Sequence, residues 1–513
     1  MFFETLVAVI RPLIVPLIAL NFMLLLVFLY YNRNYILNTF CDVNKLTWFL
    51  LGMIIVFAFS LRIFISEPMH VVYTDEHASM LAGKMIMNLE HPWEYYSESV
   101  GFPFILSTTF SLFGLNNFVA ISTNIFFGLL TIFVVFLIIN HICRNQKAAL
   151  IGSLLISLYP WHIAWSNTAK SNVTSLFFVS LTLFLFLLYY SKKKYSLLWV
   201  SYVSLAFAVQ FRPENYVLIP VFFIGQIIFN PKSLKKTKGF YPISILLLAI
   251  ANMINVGYYF LNYMGNANVG FSLNNLLLNG ANFGWTALSW ASPAWLSIII
   301  TTIALVYFVF KRPYIGVVLV MFSIAYWIAY FSSWFAKLSG IERFYNTFFL
   351  AQAIIIPHII LAFYSKQVRN WVRNLFILLF AMILILSLVS GWGKLQYFGC
   401  DKYRLETTLI EEAEEDIPKS CVILAENPEI LESTTYLDVR ELDRFFENDN
   451  FQDSVLENDC VLFFDDVMCE LTDRSNYKGN CLRLKSEFEL EPKYTYGYNS
   501  KYVIFYKLLG PKD

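Results

Sequence analysis

The chain has 513 residues, 58% hydrophobic, 18% aromatic and only 14% charged, with a formal net charge of +1. Soluble domains carry about a quarter charged residues, so this balance excludes an ordinary soluble globular protein. The near-neutral total hides two opposite parts, since residues 1–393 hold 23 Lys/Arg against 10 Asp/Glu while residues 394–513 hold 14 against 26.

The long first part reads as a polytopic helical bundle, and the acidic remainder as a small water-soluble α/β domain. Apolar runs near 20 residues, enough to cross a bilayer core of about 30 Å, recur through the body. Twelve spans are predicted, at about 5–31, 46–66, 116–141, 148–165, 172–190, 195–211, 216–230, 240–262, 293–311, 314–335, 345–366 and 375–392. The opening MFFETLVAVIRP lacks a basic n-region and a small-residue cleavage site, and is read as a retained helix. Alternate connections (NRNYILNTFCDVNK, CRNQK, SKKK, NPKSLKKTK, KR and KQVRNWVRN) hold 16 of the 23 basic residues of the body. The positive-inside rule makes these cytoplasmic. Parity then places residues 67–115, 263–292, 336–344 and the tail on the outer face, as expected of a multi-pass cell-membrane protein with an extracytoplasmic C-terminal domain.

The first outer loop, 67–115, concentrates the scarce charge. Six of the ten acids of the body lie there, Glu67, Asp75, Glu76, Glu90, Glu94 and Glu98, with His70, His77 and His91 among them. An exposed loop accounts for Glu94 and Glu98. Asp75 and Glu76 are different, because they directly precede a helical stripe of Ala78, Leu81, Ala82, Met85, Ile86 and Leu89. Thr74 or Asp75 is a good N-cap candidate. A cap needs one short polar residue, however, whereas two adjacent carboxylates at membrane-surface depth are functional candidates. GFPFILSTTFSLFG, 101–114, is too short to span and is expected to lie at or re-enter from the outer interface.

Seven basic residues of the body fall outside the cytoplasmic loops: Arg11, Arg62, Lys84, Lys170, Arg212, Lys337 and Arg343. Arg212 and Arg343 have acids within two positions, so ion pairs with Glu214 and Glu342 are the plain reading. The functional reading is a clamp on a phosphate, for which a guanidinium fork is suited. The connection 263–292 is rich in Asn, Gly and aromatic residues, which suit sugars, although Trp285 and Trp290 also fit an interfacial belt.

In the tail, CVILAE (421–426), CVLFFDD (460–466) and KYVIFYKLL (501–509) read as buried strands, with helices near 404–416 and 440–447. Five of seven cysteines lie there. Cys469 and Cys481 flank a turn-like stretch and are candidates for one bridge. Cys421 and Cys460 each open a strand and meet if those strands are neighbours, leaving Cys400 over. No nucleotide-binding glycine fingerprint occurs, and no nucleic-acid partner is expected.

The loop pattern resembles one family. An N-terminal span, an outer loop opening with Asp75-Glu76, a helix and a Pro-containing interfacial segment at Gly101-Phe-Pro103-Phe resemble the GT-C superfamily of integral membrane glycosyltransferases. The branch is that of protein O-mannosyltransferases and aminoarabinose transferases. The block 148–186, with its Pro-aromatic turn and polar outer connection, is similar to that family's third and fourth spans. The resemblance covers about residues 46–370. It implies a transferase of the hexosyl or pentosyl class, moving a sugar from a polyprenyl- or dolichyl-phosphate carrier to a protein, lipid or glycan acceptor of the cell envelope. It implies Asp75 as general base with inversion at the anomeric carbon, and Glu76 as positioning the acceptor or supporting Asp75. It also implies Arg343, whose Glu-Arg-Phe-Tyr segment resembles the opening of a late family span, as the first lipid-phosphate ligand, followed by Lys170 and Arg212. His77, His91 and Glu98 then serve the acceptor or support the loop. Some relatives also place a divalent metal near this loop, for which the resemblance makes His77, His91 and Glu90 candidate ligands, although their spacing matches no specific ligand rule. Relatives with a Lys-Pro-Pro motif late in this loop differ from the present Ser99-Val-Gly-Phe-Pro103, which has no lysine. The rival reading is a lipid or solute transporter, which places ionisable groups near the bilayer midplane and not in an outer loop.

Overall fold

The computed structural model describes residues 2–64, 74–92, 99–232, 240–264, 294–331, 345–363, 416–426, 428–433, 437–465, 480–498 and 501–512, with isolated positions between them. Two compact units emerge, Met1–Pro68 with Ser97–Ile105 and Ser122–Phe398, and Met69–Tyr96 with Leu106–Ile121 and Gly399–Asp513.

The first unit is the membrane body. Its helices are α1 (Phe2–Tyr31), α2 (Arg33–Cys41) and α3 (Lys45–Phe64), followed after the loop helices α4 (Thr74–Met87) and α5 (Gly101–Phe113) by α6 (Asn117–Cys143). Then come α7 (Gln146–Leu158), α8 (Pro160–Ser166), α9 (Ser171–Lys192), α10 (Tyr195–Ala208) and, past a 3₁₀ turn at Pro213–Val217, α11 (Leu218–Phe229). The body closes with α12 (Leu247–Met264), α13 (Ala294–Lys311), α14 (Pro313–Phe331) and α15 (Tyr345–Phe363). Among the described residues six helices are long and apolar enough to span, or seven if α7 and α8, bent by 61° at Pro160, form one crossing. Shorter apolar helices stand where α5, α10, α11, α13 and α15 run. The protein is thus a multi-pass membrane protein. Eleven of the twelve predicted spans coincide with an apolar helix or the bent pair. The twelfth, 375–392, lies mostly outside the described residues. Most of α9 is buried, whereas most of α1 and α3 is not. Exposed Val9, Met23, Phe49 and Phe64 fit lipid, since apolar surface there costs nothing to leave unburied. α5 spans 13 residues, about 20 Å, shorter than the bilayer core, as its length predicts.

In the second unit β1 (Val422–Ala425), β2 (Asp438–Glu441), β3 (Val461–Asp465), β4 (Phe488–Tyr498) and β5 (Lys501–Pro511) form one sheet in the order β2-β1-β3-β5-β4. β1 pairs parallel with β2 and β3, and β5 antiparallel with β3 and β4. Alternate residues feed opposite cores. Ile423, Leu462, Phe464 and Phe505 join Leu431 and Ile417 on one face. Val422, Leu424, Val461 and Phe463 join Phe445, Val455 and Leu484 on the other. Burial of both faces explains why β1 and β3 read as continuous apolar runs. The flanking helices are α16 (Pro428–Glu432), α17 (Leu442–Glu447), α18 (Asp449–Leu456) and α19 (Asn480–Glu487), a three-layer arrangement. Parallel pairing brings Cys421 to Cys460, and of the connectivities left open the bridges Cys421–Cys460 and Cys469–Cys481 form. Cys400 lies outside the described residues. Residues 438–441 begin as an edge strand before the helix predicted near 440–447, because Val439 packs into the core while its neighbours face out. β4, with its polar and Pro-interrupted FELEPKYTYGY, escaped the strand pattern.

Candidate functional site

α4 carries the Asp-Glu pair. Thr74 is its first helical residue, so Asp75 and Glu76 sit within the first turn and not at the cap. Carboxylates there face the positive end of the helix dipole. Glu76 is 1% exposed; the side chain of Asp75 lies outside the described residues. Of the expected stripe Leu81, Ala82 and Ile86 are buried, together with Met80, while Ala78 and Met85 are half-buried. The stripe stops short of Leu89, which was expected to extend it. Leu89 takes a left-handed φ of 62° and is 92% exposed. The Glu90 amide bonds to the Met85 carbonyl at 2.8 Å and that of Leu89 to Ile86 at 3.1 Å, the pairing of a Schellman end.

α4 belongs to the same compact unit as the C-terminal domain. The boundary at 393/394 divides the chain in sequence, while in space the loop helix folds with the tail. His77 is 3% exposed and its Nδ1 lies 2.7 Å from Ser433 Oγ. Lys84 donates from Nζ to the carbonyls of Glu432 at 2.7 Å and Thr435 at 2.8 Å. Burial lowers the Lys84 ammonium and raises the Glu432 carboxyl, outweighing their mutual attraction. The second half of α4 and edge strand β2 flank a cleft of about 490 Å³, lined by Leu81, Met85, Arg440, Glu441 and Phe451 among others. His91 and Glu90 are exposed. Glu98 lies outside the described residues, and among those described no three His, Cys, Asp or Glu side chains group as metal ligands.

Burial pushes His77 down to about 3. In the unfolded chain it titrates near 6.5, so as pH falls from 6.5 towards 3 the unfolded state takes up a proton that the native state refuses. Stability contributed by neutral burial is complete above pH 6.5 and declines below it, by about 2 kcal/mol at pH 5. Thermal unfolding between pH 7 and 5 is expected to show this slope in the wild type and to lose most of it in His77→Gln. Parallel slopes would show that His77 does not set it.

In the membrane body the structure assembles a second polar group. Arg212 forms a bidentate pair with Glu214, Nη2 to Oε1 at 2.9 Å and Nε to Oε2 at 3.2 Å, the local ion pair anticipated for it. Its Nη1 also donates to Asn172 Oδ1 and to Ser171 Oγ at 3.5 Å. Arg212 thereby meets the segment that carries Lys170, which is 8% exposed at the N-terminal end of α9. Sequence reasoning missed the residue that shapes this segment. Asn124, fully buried in α6, donates to the carbonyls of Trp165, Thr168 and Lys170 at 3.1, 2.8 and 2.8 Å, and accepts from the Thr174 amide and hydroxyl. The available signal was an amide set among apolar residues away from the ends of a span. At Gly101 the amide bonds to the Gln210 carbonyl at 2.9 Å, and a Cβ would meet that oxygen at 2.7 Å, so only glycine permits this approach. Arg62, flagged only as misplaced charge, is fully buried. It donates to Ala58 O at 2.7 Å, Ser166 Oγ at 3.1 Å and His162 Nδ1 at 2.7 Å, which puts the imidazole proton on Nε2. Arg343 and the connection 263–292 fall outside the described residues, a few positions of the latter excepted.

The family described as dolichyl-phosphate-mannose-protein mannosyltransferase matches residues 97–255, a stretch that holds Lys170 and Arg212 but not Asp75. An uncharacterized protein of Aquifex aeolicus is 29% identical over 136 residues, 26% of this chain and 27% of its own length. The chain thus spans about a quarter of that curated relative. Among solved structures, the Archaeoglobus fulgidus oligosaccharyltransferase tethered with an acceptor peptide aligns with a TM-score of 0.54 at 14% identity, covering 90% of this chain and 74% of the other. ArnT from Cupriavidus metallidurans, bound to undecaprenyl phosphate, aligns with a TM-score of 0.56 at 11% identity, covering 90% and 98%. The likeness is one of fold, a helical membrane body followed by a small C-terminal sheet domain.

Proposed function

We propose that this chain, built on the GT-C fold, is a membrane glycosyltransferase that moves a sugar from a polyprenyl- or dolichyl-phosphate carrier to an acceptor at the outer face of the membrane. The observation that carries this reading is the match of residues 97–255 to a dolichyl-phosphate-mannose mannosyltransferase family within a GT-C body. One matching structure holds dolichol-phosphate with an inhibitory peptide, and another undecaprenyl phosphate. By analogy the donor here is lipid-linked and the acceptor a peptide, lipid or glycan. Two disulfides in the C-terminal domain support an extracytoplasmic location for it.

In this reading Asp75 removes the acceptor proton as the hydroxyl attacks the anomeric carbon, and the lipid phosphate departs with inversion. Glu76, buried beside it, supports Asp75 and is not the group that reaches the acceptor. Cations stabilise the charge that grows on the leaving phosphate. Arg343 comes first, then Lys170. Arg212 is the weakest of the three, because Glu214 already occupies its fork. His77 supports the loop through Ser433, while His91, which is exposed, and Glu98, by its place in the sequence, remain acceptor-side residues.

The deciding experiment is transfer in vitro from a panel of radiolabelled polyprenyl-phosphate sugars, with the product identified by mass spectrometry. Transfer from at least one donor is expected. No transfer from any, with lipid movement between leaflets instead, would favour the transporter. Arg343→Ala is expected to abolish transfer in a chain that still folds in detergent, and near-normal activity would remove Arg343 from the role.

A further inference from the structure

We propose that the C-terminal domain is the positioning element of the base-bearing helix, with His77 and Lys84 as positioning residues that clamp α4 onto the stretch 432–435. The proposal rests on the reading of Asp75 as the base and assigns the domain a role in the same site.

The two anchors lie seven residues apart, two helical turns and about 10.5 Å along the axis, on one face of α4. Both reach a single short stretch. His77 meets Ser433, and Lys84 meets the carbonyls of Glu432 and Thr435. These carbonyls stand at and just beyond the end of α16, where a helix leaves acceptors without intrahelical donors. An ammonium is the side chain best fitted to take two of them at once. Between the anchors Met80 and Leu81 are 0% and 4% exposed, so the same face is sealed by apolar packing.

Two anchors do what one cannot. A single contact leaves a helix free to turn about its axis, and successive residues are set about 100° apart, so a small turn swings Asp75 off its line. Contacts two turns apart remove both rotation and tilt. Asp75 is two residues before His77 and shares its rigid helix. The receiving stretch is itself held in place. It lies in the crossover from β1 to β2, inside the loop that the Cys421–Cys460 bridge closes, and Thr435 bonds back to Leu431 through both its amide at 2.9 Å and its hydroxyl at 2.7 Å. A base displaced by about 1 Å loses about a hundredfold in rate, so a clamp of this kind acts on turnover and not on donor affinity.

The test uses the full chain in nanodiscs, with backbone amide exchange over residues 74–87 read beside steady-state transfer. In Lys84→Met, exchange across α4 is expected to rise about tenfold or more. Its kcat is expected to fall about 10- to 100-fold, with KM for the lipid donor within about twofold of wild type. Lys84→Arg keeps a cation of similar reach and restores most of both values. Unchanged exchange over 74–87 in Lys84→Met, or faster exchange with wild-type kcat, overturns the proposal. If Lys84→Met does not fold, Ser433→Ala is read by the same two outcomes. The exchange arm needs no turnover, so a wild-type chain inactive with every donor counts against the enzymatic reading while exchange still decides the clamp.

Discussion

Asp75→Asn is expected to lower transfer by about 10²- to 10⁴-fold while leaving the lipid carrier bound. The range is what a positioned general base contributes. Asparagine keeps the size and much of the hydrogen bonding of aspartate but accepts no proton, so it separates chemistry from architecture. The residue stands in the first turn of α4, where the helix dipole favours the ionised form needed by a base. Glu76→Gln supplies the contrast. Its carboxyl is buried and adjacent, and a smaller loss is expected if it only supports Asp75. The readouts are initial rates of sugar transfer and retention of a polyprenyl phosphate by the purified variant. Wild-type turnover in Asp75→Asn would dismiss the base. It would revive the transporter, for which an outer carboxylate is not indispensable.

The paired change Cys421→Ser and Cys460→Ser is expected to destabilise the second unit by about 4 kcal/mol, the chain-entropy value for a separation of 39 residues. Cys469→Ser with Cys481→Ser removes a bridge whose separation is only 12 and is expected to cost about 3 kcal/mol. Against a total stability of about 5–15 kcal/mol for a domain, the first loss is severe. Because α4 folds in this unit, the consequence extends beyond the tail. Reductant is expected to abolish transfer although no thiol takes part in the chemistry. Thermal unfolding with and without dithiothreitol measures the shift, and the two pairs should rank as their loop lengths do. No shift on reduction would mean that these bridges do not hold the native domain together.

Much of the body was legible because a span is a local property. A run near 20 apolar residues announces itself without reference to any partner, and loop charge orders the runs. The bent pair α7–α8 still read as one span, with Pro160 marking the bend. The strands β1 and β3 were legible for a related reason, since burial on both faces leaves an uninterrupted apolar run. β2 was not, because an edge strand of four residues with one buried side chain carries hardly any pattern. Leu89 misled in the opposite direction. Its apolarity continued the stripe, but the chain had already turned left-handed there and exposed it.

The candidate site divides along the same line. That Asp75 and Glu76 are exceptional, and that Cys421 and Cys460 meet if their strands are neighbours, follows from residue type and order. That His77 and Lys84 bind residues 432–435, some 350 positions later, follows from neither. Nor did the sequence reveal that Asn124 gathers three carbonyls beside Lys170, or that Arg62 is enclosed with His162 and Ser166. Composition, hydropathy period and charge are sums over neighbouring residues, and they determined which segments enter lipid, which remain in water and where charge is scarce. A hydrogen bond between distant segments depends on positions set by packing the whole unit, and only the tertiary structure decided that the acidic loop's helix is held by the domain at the other end of the chain.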